Sequence, residues 1–283
     1  MPIWGVDVSA IQGVVPFDAL AKQGARYAYL RCKVGNDRGI DPRFIGNAQN
    51  ALANGIAAGA YCFAYPLPHI RPAEAAQTFY ESTWGGGRHL GDNRGELPLA
   101  LDLEWPPPER LTPNGKGWTE WGCSAPQIID WALECLHALH LCTGYVPVLY
   151  SYPHFLKRLF ADATPSDLAA FAGYPLWIAG GANYQNGAGK LPDLEKESPP
   201  LVAPWNDGWT LWQYDGNGGA RLPNGVDADF NIFHGDEAAF RSFTGASDGQ
   251  PSAPPPRRDA VAEANGHMLE DEIRAYRAAR DFE

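Results

Sequence analysis

Short apolar runs, each closed by glycine, proline or polar residues, recur along this chain, and the apolar positions between them fall at helical spacing. The runs at residues 3–9 (IWGVDVS), 27–35 (YAYLRCKVG), 56–66 (IAAGAYCFAYP), 96–105 (ELPLALDLEW) and 146–151 (VPVLYS) read as strands. A strand buried on both faces is a near-continuous apolar stretch bounded by turn residues. Helical spacing covers residues 18–25, 41–55, 71–83 and 124–144. Gly24, Gly55 and Gly144 mark their ends, and Ser124 and Pro126 mark the start of the last, where helices recruit these residue types. Five strands alternating with these helices predict an α/β fold whose parallel sheet is covered by helices and closed as a barrel. Past residue 170 the pattern changes. Residues 174–180, 208–216 and 225–233 read as strands separated by glycine-rich loops with no long helix between them, so three further strands complete the barrel. Residues 1–245 form this unit, and residues 246–258 (ASDGQPSAPPPRR) are a proline-rich linker by composition. Residues 259–283 regain helical spacing through Val261, Ala264, Met268, Leu269, Ile273 and Tyr276, with Gly266 as a bend.

Composition narrows the functional classes. With 283 residues, 45% hydrophobic and 19% charged, the chain can bury a sizeable core. A net charge of −11 repels nucleic acid, and no stripe of lysine or arginine offsets it. The five cysteines, Cys32, Cys62, Cys123, Cys135 and Cys142, include no CxxC pair and read as buried free thiols. Cys135 and Cys142 lie about 10 Å apart along a helix, too far for a bridge. No stretch is apolar enough to span a membrane, and the N-terminal MPIWGVDVSA lacks the basic and apolar regions of a secretion signal. If the protein works outside a cell, it is expected to be made in the cytoplasm and released by another route, phage lysis or unconventional export.

The chemistry concentrates at LPLALDLEW, residues 97–105. Residues two apart in a strand share a face and lie roughly 6.6 Å apart, so Asp102 and Glu104 point the same way. In a parallel barrel the C-terminal strand ends carry the chemistry. Two acids there, after an apolar run, are costly to desolvate unless they are used or paired. Asp7 ends the first strand, and Asp227 and Asp229 lie on the last. Tyr65, Tyr150, Trp177 and Gln213 also fall at or near strand ends. Acids and aromatics at one barrel mouth suit a carbohydrate site.

At these residues the chain resembles glycoside hydrolase family 25, the Chalaropsis-type lysozymes. The likeness runs in order through GVDVSAIQG (5–13), DPRFIGNAQNALANGIAAGAYCF (41–63), LALDLEW (99–105), VLYS (148–151), LWIAG (176–180), LWQYDG (211–216) and DFNIFHG (229–235). The resemblance implies an irregular TIM-like barrel of five βα units completed by three strands. It also implies hydrolysis of the β-1,4 bond between N-acetylmuramic acid and N-acetylglucosamine in peptidoglycan glycan strands, without cofactor or metal. By position, Glu104 matches the general acid, and Asp102 the partner that positions or stabilises the reacting N-acetyl group. Asp7 and Asp229 match the other site aspartates, with Asp227 a neighbouring candidate. Tyr65, Tyr150, Trp177 and Gln213 match cleft-lining, substrate-binding positions. The chain departs from the family pattern at Cys62, where histidine is common, and at Val34-Gly35, where Glu-Gly is common.

Two other readings compete. A metal-dependent cell-wall deacetylase or amidase needs two or three His/Asp ligands at fixed spacing. The seven histidines are scattered, and His137 and His140 sit on an apolar helix face that explains them as packing. A retired glycan-binding barrel is the other reading, against which stands the presence of all four acids. Residue spacing does not choose between substrate assistance, a direct nucleophile and inversion. For the tail, docking on its own barrel and self-association both remain open.

Overall fold

A computed structural model describes residues 2–35, 39–83, 97–105, 122–181, 190–206, 208–216, 220–245 and 275–276. Eight strands close into one barrel in chain order. They are β1 (Ile3–Val8), β2 (Tyr27–Val34), β3 (Ala57–Phe63), β4 (Ala100–Asp102), β5 (Val148–Ser151), β6 (Leu176–Ala179), β7 (Leu211–Asp215) and β8 (Asp229–Phe233). The helices are α1 (Phe17–Lys22), α2 (Phe44–Ala53), α3 (Pro72–Thr83), α4 (Ala125–Thr143), α5 (Pro153–Leu159), α6 (Pro165–Ala172) and α7 (Glu237–Phe243). Strands β1 to β7 pair in parallel, whereas β8 runs antiparallel to both β7 and β1. Five βα units completed by three strands is thus the observed architecture. The stretch between β5 and β6, which the apolar pattern leaves without assigned elements, forms the two short helices α5 and α6, α6 opened by a Thr164 capping box followed by Pro165. The long helix α4 is capped by Ser124 at one end and by left-handed Gly144 at the other, as the sequence indicates.

Strand parity sorts the side chains into two cores. Val6, Leu30, Ala58, Leu101, Leu149, Ile178 and Ile232 join the layer between sheet and helices. Ile3, Tyr27, Tyr29, Ala100, Val148, Trp177, Leu211 and Phe233 fill the barrel interior. Large aromatics fit there because glycines face them. A Cβ on Gly59 would lie 2.7 Å from Leu97 Cβ and 2.8 Å from Tyr29 Cε1, closer than real contacts allow. The interior is therefore plugged by apolar residues, leaving polar positions only at the mouth. All five cysteines are free thiols, four of them buried. The linker 246–258 and the tail, apart from Ala275 and Tyr276, lie outside the described residues. Tyr276 stacks on His137 of α4 with ring centroids 4.3 Å apart.

Candidate active site

The reversed direction of β8 brings its first residue, Asp229, to the mouth where the other strands end. Asp7 and Asp229 are direct partners in the β1–β8 register. Asp102 is the last residue of β4. Glu104 lies two residues beyond the strand, which is shorter than the apolar run predicts, yet the extension stays bound to β5. Leu103 N donates to Tyr150 O at 3.0 Å, and Ser151 Oγ donates to Leu103 O at 2.7 Å. With Leu103 buried in the outer layer, Asp102 and Glu104 keep the inward parity that the triplet indicates.

A chain of hydrogen bonds fixes Asp7. Its Oδ2 accepts from Gln213 Nε2 at 2.8 Å and from Asn231 Nδ2 at 2.7 Å. Tyr150 donates its hydroxyl to Gln213 Oε1 at 3.0 Å, and Trp177 Nε1 donates to Asn231 Oδ1 at 2.7 Å. Both amide orientations are set by this chain, since each Oδ1 or Oε1 accepts and each NH2 donates. Trp177 is only 2% exposed and packs on Tyr29 and Tyr150. It supports the site floor and offers no open face for a sugar to stack on. Tyr65 is also buried, edge-on to Phe63, and lines a small cavity with Cys62, Trp131 and Cys135 between sheet and helices. Asp227 is exposed on the loop before β8, paired with Arg221 at 3.2 Å, away from the register position that Asp229 holds beside Asp7.

Burial and mutual repulsion govern the acids. Burial, then the charge of Asp229, pushes the Glu104 carboxyl up to about 7. Burial, then Glu104 and Asp7, holds Asp102 well above the usual carboxylate range, with Arg31 opposing. Asp7 is likewise raised by burial and by Asp229, against its amide hydrogen bonds. At neutral pH the cluster therefore carries fewer charges than carboxyl groups. Asp102 Oδ1 is buried without a hydrogen-bond partner among the described residues, an expensive state that a bound donor would relieve.

Three further residues belong to this mouth and were not singled out from the sequence. Asn231 is two residues past Asp229, in the same inward parity. Arg31 is held by Asp41, whose Oδ2 lies 3.0 Å from both Nε and Nη2. The Tyr61 phenol is pushed up by burial, then by the charges of Asp7 and Asp102, with Arg31 opposing, so its hydroxyl stays protonated. Each sits on the inward side of a strand already recognisable, and that parity was the available signal.

A barrel mouth holding four acids, Asp7 and Asp102 buried and Glu104 and Asp229 half-buried, above an aromatic floor, suits the paired-carboxyl chemistry of sugar hydrolases. The comparisons with known proteins narrow it. The model of glycosyl hydrolases family 25 matches residues 6–221, and the chain belongs to that family. It is 30% identical over 237 residues to Lysozyme M1 of Streptomyces globisporus, covering 83% of this chain and 69% of that protein. Among solved structures, a bacterial lysozyme from Streptomyces coelicolor superposes with a TM-score of 0.65 at 27% identity, covering 87% of this chain and 99% of that one. A muramidase from Acremonium alcalophilum gives 0.66 at 26% identity, with 87% and 100% covered. The protein is a glycoside hydrolase of lysozyme type acting on peptidoglycan.

Proposed function

We propose that the protein cleaves the β-1,4 bond between N-acetylmuramic acid and N-acetylglucosamine, with Glu104 as general acid. The observation that carries this reading is a Glu104 carboxyl raised to about 7 and held in register two residues from Asp102. A general acid works best when its pKa lies near the operating pH, and an ordinary glutamic acid would have lost its proton there. Asp102 supports the second role. Its unpartnered Oδ1 is suited to accept the N–H of the sugar's 2-acetamido group. Fixing that N–H turns the acetamido oxygen toward the anomeric carbon, so the substrate assists its own cleavage. Asp7, locked by Gln213 and Asn231, and Asp229 set the field around the pair, and Tyr150 and Gln213 shape the floor. The cell wall is the place of action; among the described residues no helix is long and apolar enough to cross a membrane.

Glu104→Gln keeps the shape and removes the proton. Its turnover of cell walls should fall by about 10²–10⁴-fold, the usual worth of a general acid. Mass spectrometry of the digested fragments reports the bond: reducing-end muramic acid is expected. Reducing-end glucosamine, or a variant retaining more than a tenth of activity, would remove this assignment.

A further inference from the structure

Three polar groups on consecutive strands of the mouth have bonds left to make. Asp102 Oδ1, on β4, is buried without a partner among the described residues. The half-buried Tyr61, on β3, makes no hydrogen bond through its hydroxyl among the described residues. Arg31, on β2, is the third. Asp41 engages one side of its guanidinium: Nε donates to Asp41 Oδ2 at 3.0 Å, and Nη2 lies 3.0 Å from the same oxygen. A guanidinium carries five N–H donors in one plane, and this side-on contact uses two of them. Its Nη1/Nη2 end, the edge that can grip a carboxylate with two parallel bonds, has no partner among the described residues.

Asp41 also decides where that edge stands. It lies beyond the end of β2, and its carboxylate accepts from Ala10 N at 3.0 Å, just past the end of β1, and from Arg43 N at 2.9 Å. Fixed by these backbone donors, it draws the Arg31 cation up to the rim on the β1–β2 side of the mouth, where 23% of the arginine side chain stays exposed. The charge is felt at Asp102 and at Tyr61, opposing the rise of each. Yet Arg31 does not bond Asp102, because Oδ1 would then have its partner. A gap therefore separates carboxyl from guanidinium, with Tyr61 on the strand between. Stability alone does not call for this arrangement, since a partly exposed ion pair contributes little.

Resting on the muramidase reading, we propose that the open edge of Arg31 binds the 3-O-lactyl group of the muramic acid whose 2-acetamido N–H sits on Asp102. The two substituents stand on adjacent ring carbons, so a sugar held by its acetamido group presents the lactyl group one carbon further from the scissile bond. Glycosidic oxygen, C2 nitrogen and C3 lactyl group then follow the order Glu104, Asp102 and Arg31 around the mouth. Neighbouring strands lie about 4.8 Å apart, so β2 is about 10 Å from β4, a span shared between the lactyl ether and the long arginine side chain. The lactyl carbonyl oxygen accepts from the guanidinium whether it belongs to a free carboxylate or to the amide of a peptide. N-Acetylglucosamine has a bare hydroxyl at that carbon and leaves the edge unpaired. Arg31 thereby selects muramic acid for the ring whose bond is cut.

The test crosses one change in the enzyme with one in the substrate. The substrates are amidase-stripped glycan, which bears free lactyl carboxylates, and the same glycan after carbodiimide activation and borohydride reduction of those carboxylates to alcohols. The enzymes are the unmodified protein, Arg31→Gln, and Arg31→Gln/Asp41→Asn, in which no buried carboxylate is left without its cation; a variant with the parental circular dichroism spectrum is read. For the unmodified enzyme, reduction should lower kcat/KM by about 10- to 100-fold, the usual worth of a hydrogen bond to a charged group, mostly through KM. The variant should start at that lower level on the carboxylate glycan and lose nothing more on reduction. Equal losses on reduction in parent and variant would overturn the assignment, as would a parent indifferent to reduction. Release of a reducing end other than muramic acid by the parent would instead count against the bond assignment, and is read separately.

Discussion

At the residue scale, the site exchanges stability for proton affinity. The Glu104 carboxyl is raised from an ordinary 4.5 to about 7, so the folded state binds its proton more tightly than the unfolded chain does. Folding is then favoured less as pH rises through the interval between those values, and below about 4.5 the effect vanishes because both states are protonated. Glu104→Gln should consequently be more stable than the parent above neutral pH, by on the order of 3 kcal/mol at most, and equal to it at pH 4. Thermal melts at the two extremes check this; a variant less stable at both would show that the carboxyl is a structural partner. Activity carries the same signature, with an alkaline limb centred near 7 as the general acid loses its proton. Such features were only partly legible in the sequence. The Asp102–Glu104 triplet stood out because two acids closing an apolar strand are costly to desolvate unless they are used or paired. Arg31, Tyr61 and Asn231 did not, because one polar residue inside a strand carries no mark of its neighbours until the barrel closes around it.

At the element scale, periodicity carried most of the architecture. Strands β1 to β7 and helix α4 could be placed because alternation, caps and turn residues agree over each segment. Strand direction was not legible: β8 has the same residue pattern whether it runs with or against β7, and only the antiparallel pairing makes Asp229, and not Phe233, its mouth residue. Helices α5 and α6, of 7 and 8 residues, were not assigned, because the 3-10 turn Phe160–Asp162 between them breaks the spacing that one longer helix would show. The interior layer also rests on Gly5, against Tyr27, and Gly59, against Leu97 and Tyr29, whose role is packing. Gly59→Ala would press a methyl group into Leu97 and Tyr29 and should cost about 1–3 kcal/mol, the range for overpacked cores. Urea unfolding measures it. An unchanged midpoint would mean that β3 shifts freely, and with it the wall between Arg31 and Asp102.

At the scale of the whole molecule, two independent questions remain open to measurement. The first is metal dependence. Among the described residues no group of three or more His, Cys, Asp or Glu side chains is arranged to hold an ion, and Asp7 is bound by the amides of Gln213 and Asn231. Prolonged chelation should leave the hydrolysis rate within error of the untreated enzyme; a loss restored by zinc would revive the deacetylase or amidase reading.

The second is what residues 259–283 do. They lie beyond the family match, which ends at residue 221. Tyr276 stacks nearly parallel on His137 and packs against the outer core that α4 shares with the sheet. Tyr174 feels it as well, its phenol pushed up by burial and then by Tyr276. An aromatic pair of this kind adds about 0.5–1.5 kcal/mol beyond the area it buries, enough to anchor a segment that would be marginal as an isolated helix. Because α4 covers the outside of the barrel, the contact bears on stability and not on the mouth. Tyr276→Ala should lower the melting temperature by about 2–8 °C, for a loss of about 1–2 kcal/mol in a protein of this size, while leaving kcat on soluble muropeptides unchanged. Light scattering completes the test. A variant that melts normally but changes its molecular mass would show that Tyr276 acts between two copies of the chain, and one that melts normally as an unchanged monomer would show that the stack contributes nothing.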